Sequence, residues 1–315
     1  MLRSILVPLD GSRFSELALP FAERLADGET RVTLLRALTA HGLPDVDTTD
    51  TQLQQIGEAD TYLRGIAGEL ALPVKPETAV FFGSPGKAIM EEIEIRHADL
   101  VVMATHGRSG PGRALYGSTA DHVLRHAPVP VLLVPSRCTH QWPEDRPVRI
   151  AVTLDGSDFS ESVLGPLRHV IRALEGRSGV ELLLVRIVDV AAAMIQLASG
   201  RTAAFDASAE IERADRYLEG LAAGLRTVTP RIRTFSELGS PGNLIAEVAE
   251  DAGADLIAMA THGRGGLSRV VLGSVATSTV RHAGVPVFLS RPVPARVPVR
   301  EPVLSPSTSR LRAAT

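Results

Sequence analysis

The phrase THGRSGPGRALYGST, beginning at Thr105, returns as THGRGGLSRVVLGSV at Thr261, 156 positions later. ILVPLDGSRFSE from Ile5 returns as IAVTLDGSDFSE from Ile150, an offset of 145 counted on Asp10 and Asp155. ADTYL from Ala59 and ADRYL from Ala214 are 155 apart. FGSPGKAI (Phe82) and LGSPGNLI (Leu238) are 156 apart, as are RHAPVPVLLV (Arg125) and RHAGVPVFLS (Arg281). Solenoid units run about 20–50 residues, so a repeat this long is a whole domain written twice. The 315-residue length accommodates two domains of about 150. The drift in offset leaves 11 extra residues in the second half before its third strand, expected around 189–208. The organisation expected is a first domain over 1–136, a linker over 137–147, a second domain over 148–291 and a tail over 292–315. The tail is proline-rich and basic with no apolar period, and is expected to be disordered.

Within each half, strand patterns alternate with helix patterns. Ile5–Leu9 is a short buried strand, after which Ser12 opens a helix with Leu17, Phe21 and Leu25 on one face. Strands follow at Val32–Ala37, Thr78–Phe82, Asp99–Ala104 and Val129–Val134, the fourth apolar as when both faces are covered. Gly83-Ser84-Pro85 starts a helix with serine as N-cap and proline in the first turn. Another helix runs from Ser118 to about His126. Five strands alternating with helices, twice, predict an α/β fold of two tandem, doubly wound, five-stranded parallel-sheet domains. Ligands of such sheets sit beyond the strand carboxyl ends, at the switch point. Asp10, Ala37 and the Gly107 loop all fall there.

The glycine phrase is the candidate binding element. Gly107, Gly110, Gly112 and Gly117 allow positive φ and close backbone approach. Consecutive amides in such a turn form an anion-binding nest. Gly117-Ser118 then opens a helix whose amino terminus suits phosphate. Gly263, Gly265, Gly266, Gly273 and Ser274 repeat the arrangement, and Arg108 and Arg264 stand ready to neutralise charge. The bland alternative is that the glycines only turn the chain and Ser118 only caps its helix; two matched glycine-rich copies favour a ligand. Asp10 and Asp155, after strand one, suit ribose hydroxyls, although an Asx-turn is common for Asp-Gly.

Other chemistries are disfavoured. His106 and His262 have no nucleophile or carboxylate at a recognisable spacing, and His126 and His282 suit helix carboxyl ends. No catalytic residue and no metal-ligand cluster is expected; any magnesium would arrive with a nucleotide. A net charge of −3 argues against a globally basic nucleic-acid binder, and 4% aromatic content against base-stacking platforms. The single cysteine, Cys138, builds neither an internal disulfide nor a thiolate metal site. MLRSILVPLDGS is too short in apolar residues for a signal peptide, and no stretch reaches the roughly 18 apolar residues of a membrane span. These traits predict a cytoplasmic chain with no membrane association.

In these residues the chain resembles the universal stress protein family in its tandem, Rossmann-like form. Nucleotide-binding members carry G-x2-G-x9-G-[ST] after strand four. Gly107, nine residues, then Gly117-Ser118 match its second part, as do Gly263, nine residues, then Gly273-Ser274. The motif's first glycine falls on Ala104 and Ala260. The resemblance implies ATP as ligand, with Asp10 and Asp155 on ribose. It implies main chain at Ala37 and Ile187 on adenine, and Pro8 and Thr153 on the pocket floor. The expected set is completed by Met103 and Met259 on strand four, and by Thr119 and Val275 in the helix start. The fifth strands, Val129–Val134 and Val285–Leu289, are implied to pair in a pseudo-two-fold, and two chains to form a homodimer.

The function expected is therefore an ATP-binding stress-response regulator or sensor with little or no turnover, acting through protein partners that the residues do not name. A scaffold of the same fold without nucleotide is the alternative. A nucleotidyl transferase or pyrophosphatase would need HxGH or SGGxDS, which Thr105-His106-Gly107-Arg108 and Leu9-Asp10-Gly11-Ser12 do not supply. Gly83-Ser84-Pro85-Gly86-Lys87-Ala88 lacks the spacing of a Walker loop.

Overall fold

The computed structural model describes residues 1–39, 48–105, 117–191, 194, 199, 206–261 and 273–292. Ten strands run in chain order: β1 (Ser4–Pro8), β2 (Arg31–Leu38), β3 (Glu77–Phe82), β4 (Leu100–Ala104), β5 (Val131–Val134), β6 (Val148–Thr153), β7 (Val180–Asp189), β8 (Ile232–Gly239), β9 (Leu256–Ala260) and β10 (Val287–Ser290). They form a single sheet in the order β3-β2-β1-β4-β5-β10-β9-β6-β7-β8. Pairings inside each half are parallel. The two expected sheets are thus joined by an antiparallel β5–β10 pairing, with Leu132 opposite Phe288. Without it, VLLV and VFLS would each present an unpaired apolar edge.

Strand residues alternate between two buried layers. Ile5, Val7, Leu100 and Val102 point into one, with Ile150, Val152, Leu256 and Ala258 beside them. Leu6, Val101 and Met103 point into the other, with Ala151, Ile257 and Met259. This period of two follows from the pleat, and burial on both faces makes the central strands apolar throughout.

Several boundaries differ from the sequence expectation, each for a local reason. Strand five begins at Val131, not Val129, and its counterpart at Val287, not Val285. Pro130 and Pro286 have no N–H to give the ladder. The helix opened by Ser12 breaks into Arg13–Glu16 and Leu19–Leu25. Pro20 has no N–H for the Glu16 carbonyl, although Phe21 and Leu25 still reach the core. Ser84 takes the N-cap position with Pro85 in the first turn, but its side chain makes no capping bond. The extra length of the second half is spread out. Helix Leu164–Glu175 has 12 residues where Leu19–Leu25 has 7. Five of the additional residues therefore precede the second strand, outside the expected 189–208.

The connection over 137–147 is packed against both halves. Trp142 is buried, edge-on to Phe21 with ring centroids 5.0 Å apart, and its Nε1–H donates to the Asp255 carbonyl at 3.0 Å. The buried Asp255 carboxylate accepts from Arg146 at 2.7 and 2.8 Å, His140 Nε2 at 2.7 Å and the Arg149 amide at 2.8 Å. Arg137 donates to the carbonyls of Arg281 and Ala283, and Arg291 to that of Leu124. Guanidiniums of the connecting segment and of the second half thus cap a helix carboxyl end in the second and the first half respectively.

Candidate functional site

The duplicated LDGS phrase folds the same way twice. Asp10 Oδ1 accepts from the Ser12 amide at 3.0 Å and its hydroxyl at 2.6 Å. Asp155 Oδ1 accepts from the Ser157 amide at 2.9 Å and its hydroxyl at 2.5 Å. Each is an Asx-turn closed by glycine in the left-handed region, Gly11 at φ +82 and Gly156 at φ +87. Ser12 and Ser157 in turn cap the next helix by accepting from Ser15 and Ser160 amides. Burial alone would raise the Asp155 carboxyl, but the bonds from Ser157 and Ser160 outweigh it and hold it below the ordinary carboxylate value. Asp155 is therefore a charged acceptor fixed at the end of β6.

Beyond the carboxyl ends of β6, β7 and β9 lies a cavity of about 540 Å³, within the range of small-molecule sites. The direction of strand order reverses between β6 and β9, so the cavity sits at the topological switch point. Thr153, Asp155, Ile187, Met259, Ala260, Gly273, Ser274 and Val275 all line it. These are all the second-half residues expected from sequence that lie within the described structure. Gly273 holds the N-cap position of helix Ser274–His282 with no side-chain cap, so the serine does not cap its own helix. The first-turn amides there have no acceptor within their own helix, as at any helix amino terminus.

In the first half, Pro8 ends β1, Asp10 follows it, Ala37 lies in β2, and Met103 and Ala104 close β4. Gly117 caps helix Ser118–His126 at φ +74, with Ser118 and Thr119 in its first turn. All lie at the same sheet end. Gly107, Arg108, Gly110, Gly263, Arg264 and Gly266 lie outside the described residues, as do His106 and His262. His126 and His282 each use Nδ1 on a carbonyl of their own helix, those of His122 at 2.8 Å and Ser278 at 2.9 Å. Among the described residues no group of three or more metal-ligating side chains occurs, and no helix is long and apolar enough to cross a membrane.

Sequence reasoning missed part of the wall. Arg186, Asp189 and Glu210 also line the cavity. Arg186 lies over the Tyr217 ring at 5.0 Å, and Tyr217 Oη donates to Glu161 at 2.8 Å. Arg36, Tyr62 and Glu16 repeat this at 4.9 and 2.8 Å. Burial and the neighbouring glutamate push both tyrosine hydroxyls well above their ordinary value. The signal was present in the repeat: FSE, AD-x-YL and the arginine preceding Ala37 and Ile187 each occur twice.

The fold and cavity define a doubly wound α/β protein with a ligand crevice at its switch point. The profile of the universal stress protein family matches residues 1–135 and 148–291, and the chain belongs to that family. It is 29% identical over 227 residues to "Universal stress protein Rv2005c" of Mycobacterium tuberculosis (strain ATCC 25618 / H37Rv), covering 72% of each chain. To "Universal stress protein E" of Escherichia coli (strain K12) it is 25% identical over 224 residues, covering 70% of this chain and 69% of that one. The crystal structure of a universal stress protein from Archaeoglobus fulgidus DSM 4304 shares the fold at TM-score 0.64 and 21% identity, over 92% of this chain and 99% of that one.

Proposed function

We propose that the chain binds ATP in the second-half cavity, with a related site at the first-half Asp10 turn, and acts as a stress-response regulator or sensor. One observation carries this reading: eight residues chosen for nucleotide binding surround one cavity at the switch point. The β7 main chain at Ile187 meets adenine, and Asp155 accepts from ribose hydroxyls. The amides opening helix Ser274–His282 take the phosphates, where the dipole favours negative charge. Magnesium, if used, enters with the nucleotide. Ala260 replaces a family glycine with one methyl group on the cavity wall. In this reading the nucleotide is held with little or no turnover. Two copies form a homodimer in the cytoplasm.

Equilibrium dialysis of the full chain against ATP tests the reading. Saturable binding below millimolar ATP, weakened by Gly273→Asp, is the expected result. That variant adds negative charge at the helix start without backbone strain, because Gly273 has φ −54. No binding at millimolar ATP contradicts the proposal.

A further inference from the structure

Arg186 sits between the ribose turn and the helix behind it. A Cβ built on Gly156 would lie 3.2 Å from Cζ, Nη1 and Nη2 of Arg186, so the guanidinium lies flat on that glycine. Its other contact is the Tyr217 ring, which is tied through Oη to Glu161. Glu161 ends the short helix Asp158–Glu161 that Ser157 caps, directly after Asp155 and Gly156. The contacts therefore close a ring: turn, short helix, Glu161, Tyr217, Arg186 and back to the turn. Arg186 itself is among the residues of β7 that line the cavity.

The first half has the same ring. A Cβ on Gly11 would lie 3.0 to 3.1 Å from the Arg36 guanidinium, which covers Tyr62, which donates to Glu16. Elsewhere the halves have diverged: Ala37 stands where Ile187 does, and Gly117 and Gly273 differ in φ.

We propose that this glutamate–tyrosine–arginine bracket is the ribose-reading device of each half, holding the Asp-Gly turn so that its carboxylate accepts from the ribose 2′-hydroxyl. This rests on the nucleotide reading above and makes Arg36 and Arg186 positioning residues. A planar guanidinium seated on a glycine peptide fixes that peptide more tightly than a flexible ammonium does. With Asp155 bonded through Oδ1 to Ser157 on one side and its glycine pinned on the other, the carboxylate has one orientation. The bracket thus selects ribonucleotides over deoxyribonucleotides.

Competition binding of ATP and 2′-deoxy-ATP to the full chain tests this, in wild type, Arg186→Met, Arg36→Met and the double variant, each checked for folding by its melt. Wild type should prefer ATP about tenfold, the scale of one hydrogen bond to a charged acceptor. The double variant should bind both nucleotides alike, with 2′-deoxy-ATP affinity unchanged. Tyr217→Phe with Tyr62→Phe keeps the rings, removes the anchor to glutamate, and should give a partial loss of preference. This pair also serves if the arginine variants do not fold. A preserved ratio, or equal weakening of both nucleotides, overturns the inference and leaves the bracket a structural brace. Wild type binding neither nucleotide overturns the nucleotide reading itself, and this one with it.

Discussion

The two halves carry the same Asp-Gly turn and the same glutamate–tyrosine–arginine contacts but differ in what surrounds them. Ile187, Asp189 and Glu210 of the second half stand where the first has Ala37, Thr39 and Gln55. Gly117 takes φ +74 at its helix start, Gly273 takes φ −54. Asp99, after helix Pro85–Ile95 of the first half, accepts from the Arg3 and Ser4 amides. Its counterpart Asp255 also holds Arg146 and His140 of the connecting segment. The lesson is that duplication preserved the Asp-Gly turn and the contacts that hold it, while charged positions of the cavity wall such as Asp189 and Glu210, and the packing around them, were free to change.

The largest expected difference lies between the exposed Asp99 and the buried Asp255. Asp255→Ala removes the acceptor shared by Arg146, His140 and the Arg149 amide, and should cost about 2–4 kcal/mol, the scale of losing several hydrogen bonds to a charged acceptor. Asp99→Ala loses two amide bonds and should cost about 1–3 kcal/mol. Urea melts of the two variants check the order, and equal losses would mean the connecting segment adds nothing.

Ligand binding comes next. Asp155→Ala should weaken ATP binding about ten- to a hundredfold, from the loss of hydrogen bonds to a charged acceptor. Asp10→Ala should leave binding in the second-half cavity intact, because its effect is confined to the first-half turn. Calorimetric titration separates them, and the reverse order would move the principal site to the first half.

Smaller effects follow at the helix starts. Both Gly117→Ala and Gly273→Ala lose a glycine cap, so their difference reports backbone strain. Gly117→Ala should be the worse by about 1–2 kcal/mol, the cost of a left-handed residue with a side chain. Its Cβ would also meet the Thr105 carbonyl oxygen at 3.2 Å. Thermal melts decide this.

The smallest effect is on acid stability. Because the folded Asp155 carboxyl titrates below its ordinary 3.8, its contribution is complete above that pH. It is lost as pH falls through the folded value. Asp155→Asn should therefore make stability less steep below about pH 4 and leave the neutral-pH slope alone. Acid titration by circular dichroism would show an unchanged acid limb if the hydrogen bonds at Asp155 were unimportant.

Most of the fold was legible because burial on both sheet faces writes itself as apolar runs, as in LVVMA of β4, and because the repeat repeated the reading. The described part of the second-half site was legible for a related reason. Strand carboxyl ends converge by topology, so Thr153, Asp155, Met259 and Ser274 meet although they are far apart in sequence. What escaped was contact between elements. No local pattern links Arg186 to Tyr217, or Trp142 to Asp255, because those pairings depend on how helices lie on the sheet. The joining of the halves through their fifth strands did not escape: the family resemblance implied it, and the antiparallel β5–β10 pairing bears it out, although no single strand encodes it. Pro20 and Pro130 did carry their signal, since a missing N–H shortens a helix or strand wherever it falls.

The central claim is that the second-half cavity holds an adenine nucleotide by its turn, its strand end and its helix start. A crystal structure of the full chain grown with ATP tests it most directly. The account predicts adenine against Ile187, ribose on Asp155 and phosphates at the amides that open helix Ser274–His282. A cavity left empty at millimolar ATP, or a nucleotide bound elsewhere on the chain, would contradict it.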